Sequence, residues 1–189
     1  MKKILLLILL SLPIFSIAQT ADSLSVKDSL ITEKEVEPEP PKPEIKKFAT
    51  YRITVPLGWD IKPGCVENQC TFTSTRDTVG GFDTYIESIN LTVNKLNNTS
   101  YTALKYANYS IGYLPKVVQN FTVLEKKSLG SNGYRVTYRG LKNGLEQTWR
   151  QYYYVRNGKV YIVTFSAETR KYDYYQPLIE PYLNSFSFN

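Results

Sequence analysis

The dipeptide Asn157-Gly158, set between "EQTWRQYYYVR" and "KVYIVTFSA", constrains this chain more than any other feature. Both residues accept positive φ, as a two-residue type I′ turn requires, and the flanking runs are rich in β-branched and aromatic residues. Such a turn leaves no freedom of register, so Val155 faces Val160, Tyr153 faces Ile162 and Trp149 faces Ser166. A second dipeptide of the same kind, Asn143-Gly144, joins "YRVTYR" to the same strand. With a two-residue loop there too, Tyr138 lies opposite Trp149 and Tyr134 opposite Tyr153. Side chains alternate across a strand. One face therefore collects Tyr134, Val136, Tyr138, Trp149, Tyr153, Val155, Val160 and Ile162, a core face. The other collects Arg135, Arg139, Arg150, Tyr152, Tyr154, Tyr161, Val163 and Phe165, apolar at one end and basic-aromatic at the other. A one-residue change in the second loop would move Arg135 and Arg139 to the opposite face.

The remaining elements follow from period and turn residues. "YRITVP", "QCTFTSTR", "IESINLTVNKL" and "FTVLEKKSL" read as strands. In "TSYTALKYANYSIGYLPK" the period changes, and Tyr101, Leu104, Ala107, Ile111 and Leu114 fall on one helical face, with Thr99 or Ser100 as N-cap and Pro115 near the end. A closing helix in "TRKYDYYQPLIEPYLNSF" places Tyr172, Tyr175, Ile179, Tyr182 or Leu183, and Phe186 on one stripe, with Pro177 starting a new turn or kinking it. After "YRITVP", Gly58 permits a bend and Trp59 plugs an edge of the fold.

Ahead of these elements the chain changes character twice. Residues 1–18 carry two lysines, an apolar run from Ile4 to Ile17 and small residues at Ser16 and Ala18, the pattern of a signal peptide cleaved after Ala18. An uncleaved anchor fits less well, because the run falls short of the roughly 20 residues a span needs and contains Pro13. Residues 19–47 include "SVKDSLITEKEVEPEPPKPEIKK", rich in charge and proline and without an aromatic ring, which is expected to form a disordered or polyproline-like tail. Residues 48–189 read as a single domain. The chain's net charge of +6 resides there rather than in the acidic tail, which favours anionic partners; no nucleic-acid-binding pattern is present.

Composition narrows the chemistry. There is no histidine, so the commonest general base, metal ligand and partner for a nucleophile are all missing. The two cysteines, Cys65 and Cys70 in "CVENQC", point to one structural disulfide in an exported chain. Two sulfurs without histidine make a poor zinc site, and redox motifs use a shorter spacing. The acids are dispersed, and no phosphate-cradling loop appears. Asp77 and Asp83 around Gly80-Gly81 are a weak calcium candidate that departs from the EF-hand pattern. Triplets of the Asn-x-Ser/Thr type, as at Asn90 and Asn120, are read as chance.

The opening "YRITVPLGW", a helix after the first strands, the string "VYIVTFSAETRKYDYY" and a closing helix running into "LNSFSF" together resemble the PsbP-like superfamily across nearly all of residues 48–189. The resemblance implies an α+β fold, an α/β/α sandwich whose central antiparallel sheet of about six strands carries helices on its faces. It transfers no catalytic or partner-binding residue. With no cofactor or metal implied, the expected function is non-catalytic: an exported periplasmic or secreted protein that binds another protein and supports a bacterial envelope assembly. The alternative is a small-ligand, lipid-headgroup or glycan-binding module. Candidate binding residues in either case are Arg135, Arg139, Arg150 and Arg156 with Tyr152, Tyr154 and Tyr161, which can grip an anionic group by charge-assisted bonds and ring stacking. A third reading, a histidine-free hydrolase, needs a convergent buried carboxylate pair.

Overall fold

The computed structural model describes residues 41–75, 85–98 and 100–189. The expected signal peptide, most of the expected tail and the Asp77/Asp83 candidate therefore lie outside the described residues. In chain order the elements are β1 (Ile45–Lys47), β2 (Tyr51–Thr54), β3 (Asp60–Ile61), β4 (Gln69–Thr73), β5 (Ser88–Lys95) and α1 (Ala103–Tyr113), the last continued by a 3-10 turn over Leu114–Lys116. They go on with β6 (Gln119–Ser128), β7 (Gly133–Lys142), β8 (Leu145–Arg156), β9 (Lys159–Glu168), α2 (Thr169–Asn184) and β10 (Ser187–Phe188).

All pairings are antiparallel and form two sheets. A seven-stranded sheet runs β3-β4-β5-β9-β8-β7-β6, and a three-stranded one runs β1-β2-β10. The principal sheet is thus one strand larger than expected, because the two-residue β3 pairs with β4 through Asp60 and Ile61. Both tight turns behave as their residues require. Asn143, Gly144, Asn157 and Gly158 all have positive φ. Val155 pairs with Val160, Tyr153 with Ile162 and Trp149 with Ser166. Tyr138 pairs with Trp149 and Tyr134 with Tyr153.

Helices cover the two faces of this sheet unequally. On one side α2 and the small sheet bury Phe72, Ile89, Val163 and Phe165 beneath Tyr51, Ile53, Ile179 and Leu183. On the other, α1 lies over β7 and β8 and encloses a smaller core around Ala107, Val136, Tyr138, Trp149 and Tyr153. Strand β9 is the middle of the seven, and its run Val160–Phe165 is covered from both sides, which explains why it is almost continuously apolar. After β2, the amide of Trp59 bonds the Pro56 carbonyl at 3.1 Å across Gly58, whose φ of 75° closes the turn, and the half-buried indole packs on the larger core.

Several local expectations are corrected. Ile45–Lys47 belong to a strand rather than to the tail, because Lys46 pairs with Ile53 and the Val55 amide bonds the Glu44 carbonyl at 2.8 Å. Backbone pairing needs no apolar side chains, so composition misjudges this boundary. The N-cap of α1 is Thr102, whose hydroxyl accepts from the Lys105 amide at 3.2 Å, and not Ser100; Thr99 lies outside the described residues. Leu104 points to solvent at 48% exposure and Ala103 is buried in its place, while Ala107, Ile111 and Leu114 face the core as expected. Helix α2 ends before Phe186, and of the alternatives Tyr182 and Leu183 it buries Leu183. It also passes through Pro177 and Pro181, both on its exposed side, where water can satisfy the carbonyls they leave unbonded.

Candidate functional site

The basic-aromatic face expected from the hairpin register is a real face of the sheet, but α2 covers it. Arg135 and Arg150 are only 7% and 9% exposed, and Tyr152 and Tyr161 are buried. The guanidinium of Arg135 donates from Nη2 to Glu125 Oε1 and Oε2 at 2.8 and 3.0 Å, and from Nη1 to Glu180 Oε1 at 3.1 Å. Arg150 donates from Nη1 to Glu180 Oε2 at 3.1 Å, and its Nη2 lies 3.9 Å from Glu125 Oε2. Glu125 comes from β6 and Glu180 from α2, so two acids distant in sequence neutralise the two arginines. Although burial pushes the Glu125 carboxyl up, the hydrogen bond and charge of Arg135, with Arg150 and Thr137 behind them, outweigh it and hold it below its usual range.

This arrangement corrects the candidate binding residues. Arg135 and Arg150 hold acids of their own chain and so are not open to an external anion. Arg135 also lies over the Tyr152 ring at 5.8 Å. Tyr154 stacks on Phe186 with centroids 4.7 Å apart, and Tyr161 meets Phe188 edge-on at 4.9 Å; both rings build the core. Burial pushes the Tyr154 hydroxyl up to about 12. Only Arg139 and Arg156 are exposed. Arg139 pairs with Thr148, eight positions before Arg156 on β8, so the two guanidinium-bearing positions are about 27 Å apart and cannot share a small ligand. Arg156 instead lies over the Phe188 ring at 4.8 Å.

Two surfaces remain. Past the end of α1 the sheet is open, and a cleft of about 400 Å³ lies there. It lies over two cross-strand rows, Ser88, Ser166, Trp149 and Tyr138 in one and Thr71, Asn90, Thr164 and Gln151 in the other, of which all but Ser88 and Thr71 line it. The polar members are chained by hydrogen bonds. Thr71 Oγ1 donates to Asn90 Oδ1 at 2.8 Å, Asn90 Nδ2 to Ser88 Oγ at 3.1 Å, and Ser88 Oγ meets Ser166 Oγ at 2.9 Å. Gln151 Nε2 donates to Thr164 Oγ1 at 3.1 Å while its Oε1 accepts from Tyr153. Gln147 accepts from the Tyr85 hydroxyl at 3.0 Å and donates to the Lys142 carbonyl at 3.2 Å. Trp149 and Tyr138, stacked at 5.2 Å and 23°, form the apolar side.

The second surface is the outer side of α1. It carries Leu104, Tyr109 (62% exposed) and Tyr113 (52% exposed), with Val117 just beyond. Lys105 lies 5.1 Å from the Tyr101 ring and Lys116 5.6 Å from that of Tyr113. From Tyr101 to Val118 the sequence contains no acid. Neither surface was singled out from the sequence. The cleft's signal lies in the register itself, which sets the polar Ser166 beside Trp149 in a core row.

The Cys65–Cys70 disulfide is formed, with Cα atoms 4.1 Å apart. Among the described residues no group of three or more His, Cys, Asp or Glu is placed to hold a metal, and no helix is long and apolar enough to cross a membrane.

No family model and no curated protein matches the sequence. Solved structures do. A protein of unknown function from Pseudomonas aeruginosa, PA94, is similar at 11% identity and a TM-score of 0.53, over 76% of this chain and 94% of its own. Cyanobacterial PsbP from Synechocystis sp. PCC 6803 is similar at 13% identity and 0.54, over 78% and 92%. LpqN of Mycobacterium tuberculosis, described as involved in cell envelope biogenesis, is similar at 15% identity and 0.55, over 80% and 86%. The fold is PsbP-like.

Proposed function

We propose that this chain is an exported, non-catalytic binding protein of the bacterial envelope that supports an assembly by holding another protein. The observation that carries the reading is the outer side of α1, where exposed Leu104, Tyr109 and Tyr113 stand with Lys105 and Lys116 and no acid intervenes. Tyrosines combining apolar area with a polar tip are typical anchors of protein interfaces. The two lysines select an acidic partner surface. A signal-like N-terminus, a disulfide and the fold shared with LpqN and cyanobacterial PsbP support the compartment. The absence of histidine supports a binding role over a catalytic one. Arg139 and Arg156 serve at most as separate peripheral contacts.

A photo-crosslinking residue placed at Tyr109 or Tyr113, in cells that export the protein, tests the reading. We expect one discrete protein adduct, lost on Lys105→Glu/Lys116→Glu, and none from the same residue at exposed Tyr174 on α2. Adducts that ignore the charge reversal, or that form equally from Tyr174, would refute this surface. Substrate turnover by the purified protein would refute the non-catalytic role.

A further inference from the structure

We infer that the cleft beside α1 is a binding site for an uncharged, polyhydroxylated ligand, a short glycan. This goes beyond the protein-binding role and uses a different surface, so either reading can fail without the other.

Charge is the first argument. Among the described residues lining the cleft, Lys142 alone is charged. Among these residues a cation meets no counter-ion, and a multiply charged anion meets a single lysine. Ion recognition ordinarily uses clustered opposite charge. The ligand that such walls recognise is neutral.

Hydrogen-bonding capacity is the second. Asn90, Gln147 and Gln151 present amides, and Thr164 and Ser166 present hydroxyls, groups that both donate and accept. Sugar hydroxyls have the same dual character. Among the described residues each of the three amide nitrogens donates one proton to the network above, and each carries a second. Because those bonds fix the side chains, a ligand meets groups already oriented, and less conformational entropy is lost on binding.

Shape is the third. The stacked pair Trp149 and Tyr138, 6% and 3% exposed, adds a narrow apolar edge next to the polar groups, a combination that suits a sugar's C–H edge set beside its hydroxyls. The volume of about 400 Å³ lies at the small end of ligand pockets, which span roughly 300–1,000 Å³. A sheet face meant only for a covering helix would carry apolar residues in these rows, as the neighbouring stretch under α1 does.

The test uses the purified chain with three neutral probes, chitotriose, maltotriose and cellotriose. Backbone-amide NMR is recorded together with fluorescence of Trp59→Phe, which leaves Trp149 as the sole indole of the chain's two. We expect at least one probe to bind saturably with Kd near 1 mM or tighter, shifting Asn90, Gln147, Gln151 and Trp149. Gln147→Ala and the isosteric Thr164→Val, each checked for folding by its NMR spectrum, are expected to weaken binding about five-fold or more, whereas Arg139→Ala on the opposite face leaves it unchanged. The inference is overturned if none of the three binds by about 20 mM, if binding ignores both cleft variants, or if the shifts map to the α2 face. Tighter binding of an acidic oligosaccharide such as trigalacturonate would overturn the assignment to neutral ligands.

Discussion

Replacing Glu180 by glutamine tests how α2 is fixed to the sheet. The change keeps shape and removes one negative charge, so Arg150, 9% exposed, loses the one carboxylate within hydrogen-bonding distance and keeps only Glu125 at 3.9 Å. Breaking a fully buried pair costs about 3–5 kcal/mol. The Glu180 side chain retains 33% exposure, and an amide oxygen still accepts a bond, so the expected loss is smaller, about 2 kcal/mol. For a domain of this size that is a Tm decrease of about 4–8 °C. Urea unfolding followed by circular dichroism measures it, with an unchanged m-value showing that the loss is in stability rather than compactness. The decisive comparison is Arg150→Met/Glu180→Leu, which removes both charges and is expected to lie within about 1 kcal/mol of the parent. If Glu180→Gln costs less than about 0.5 kcal/mol, or if the double substitution costs the sum of its parts, the arginines are not held by these acids.

The same cluster gives a pH dependence. The folded Glu125 carboxyl is held below the ordinary carboxylate value, so its contribution is present above the unfolded value and lost as the pH falls through the folded one; Glu125→Gln should flatten the acid limb of stability measured by urea titration. Gly140 has no room for a side chain, since an added Cβ would lie 2.6 Å from the Gln119 carbonyl and press on Val118. Gly140→Ala should therefore cost about 1–3 kcal/mol by the same assay, and a neutral result would show that β6 and β7 approach less closely. Cys65→Ser/Cys70→Ser should lower stability by about 2 kcal/mol or less without changing the circular dichroism spectrum; complete unfolding would assign the bridge a larger role than so short a loop allows.

Much of the fold is legible in local signals. Asn143-Gly144 and Asn157-Gly158 set the order and register of β7, β8 and β9, because a two-residue turn with positive φ at both positions admits one pairing. On α1 the period places Ala107, Ile111 and Leu114 on the sheet side, but it does not separate exposed Leu104 from buried Ala103 beside it, which packing against β7 and β8 decides. Strand β1 was missed because its pairing is made by the backbone. The candidate site was less legible than the fold. Arg135 and Arg150 read as a patch for an anion because the acids that satisfy them sit 10 positions or more away in sequence from Arg135 and 30 from Arg150 along α2.

What the sequence determined alone is what needs no third dimension: the hairpin registers, the missing histidine and hence the narrow chemistry, and the two cysteines close enough to bridge. Which sheet face is sealed, which arginines are neutralised and where a cleft stays open were decided only when α1 and α2 landed on the sheet. Local periodicity records that a face is apolar, basic or polar. Its exposure depends on the long-range packing of elements that cover one strand and leave the next bare, and that information belongs to the assembled core.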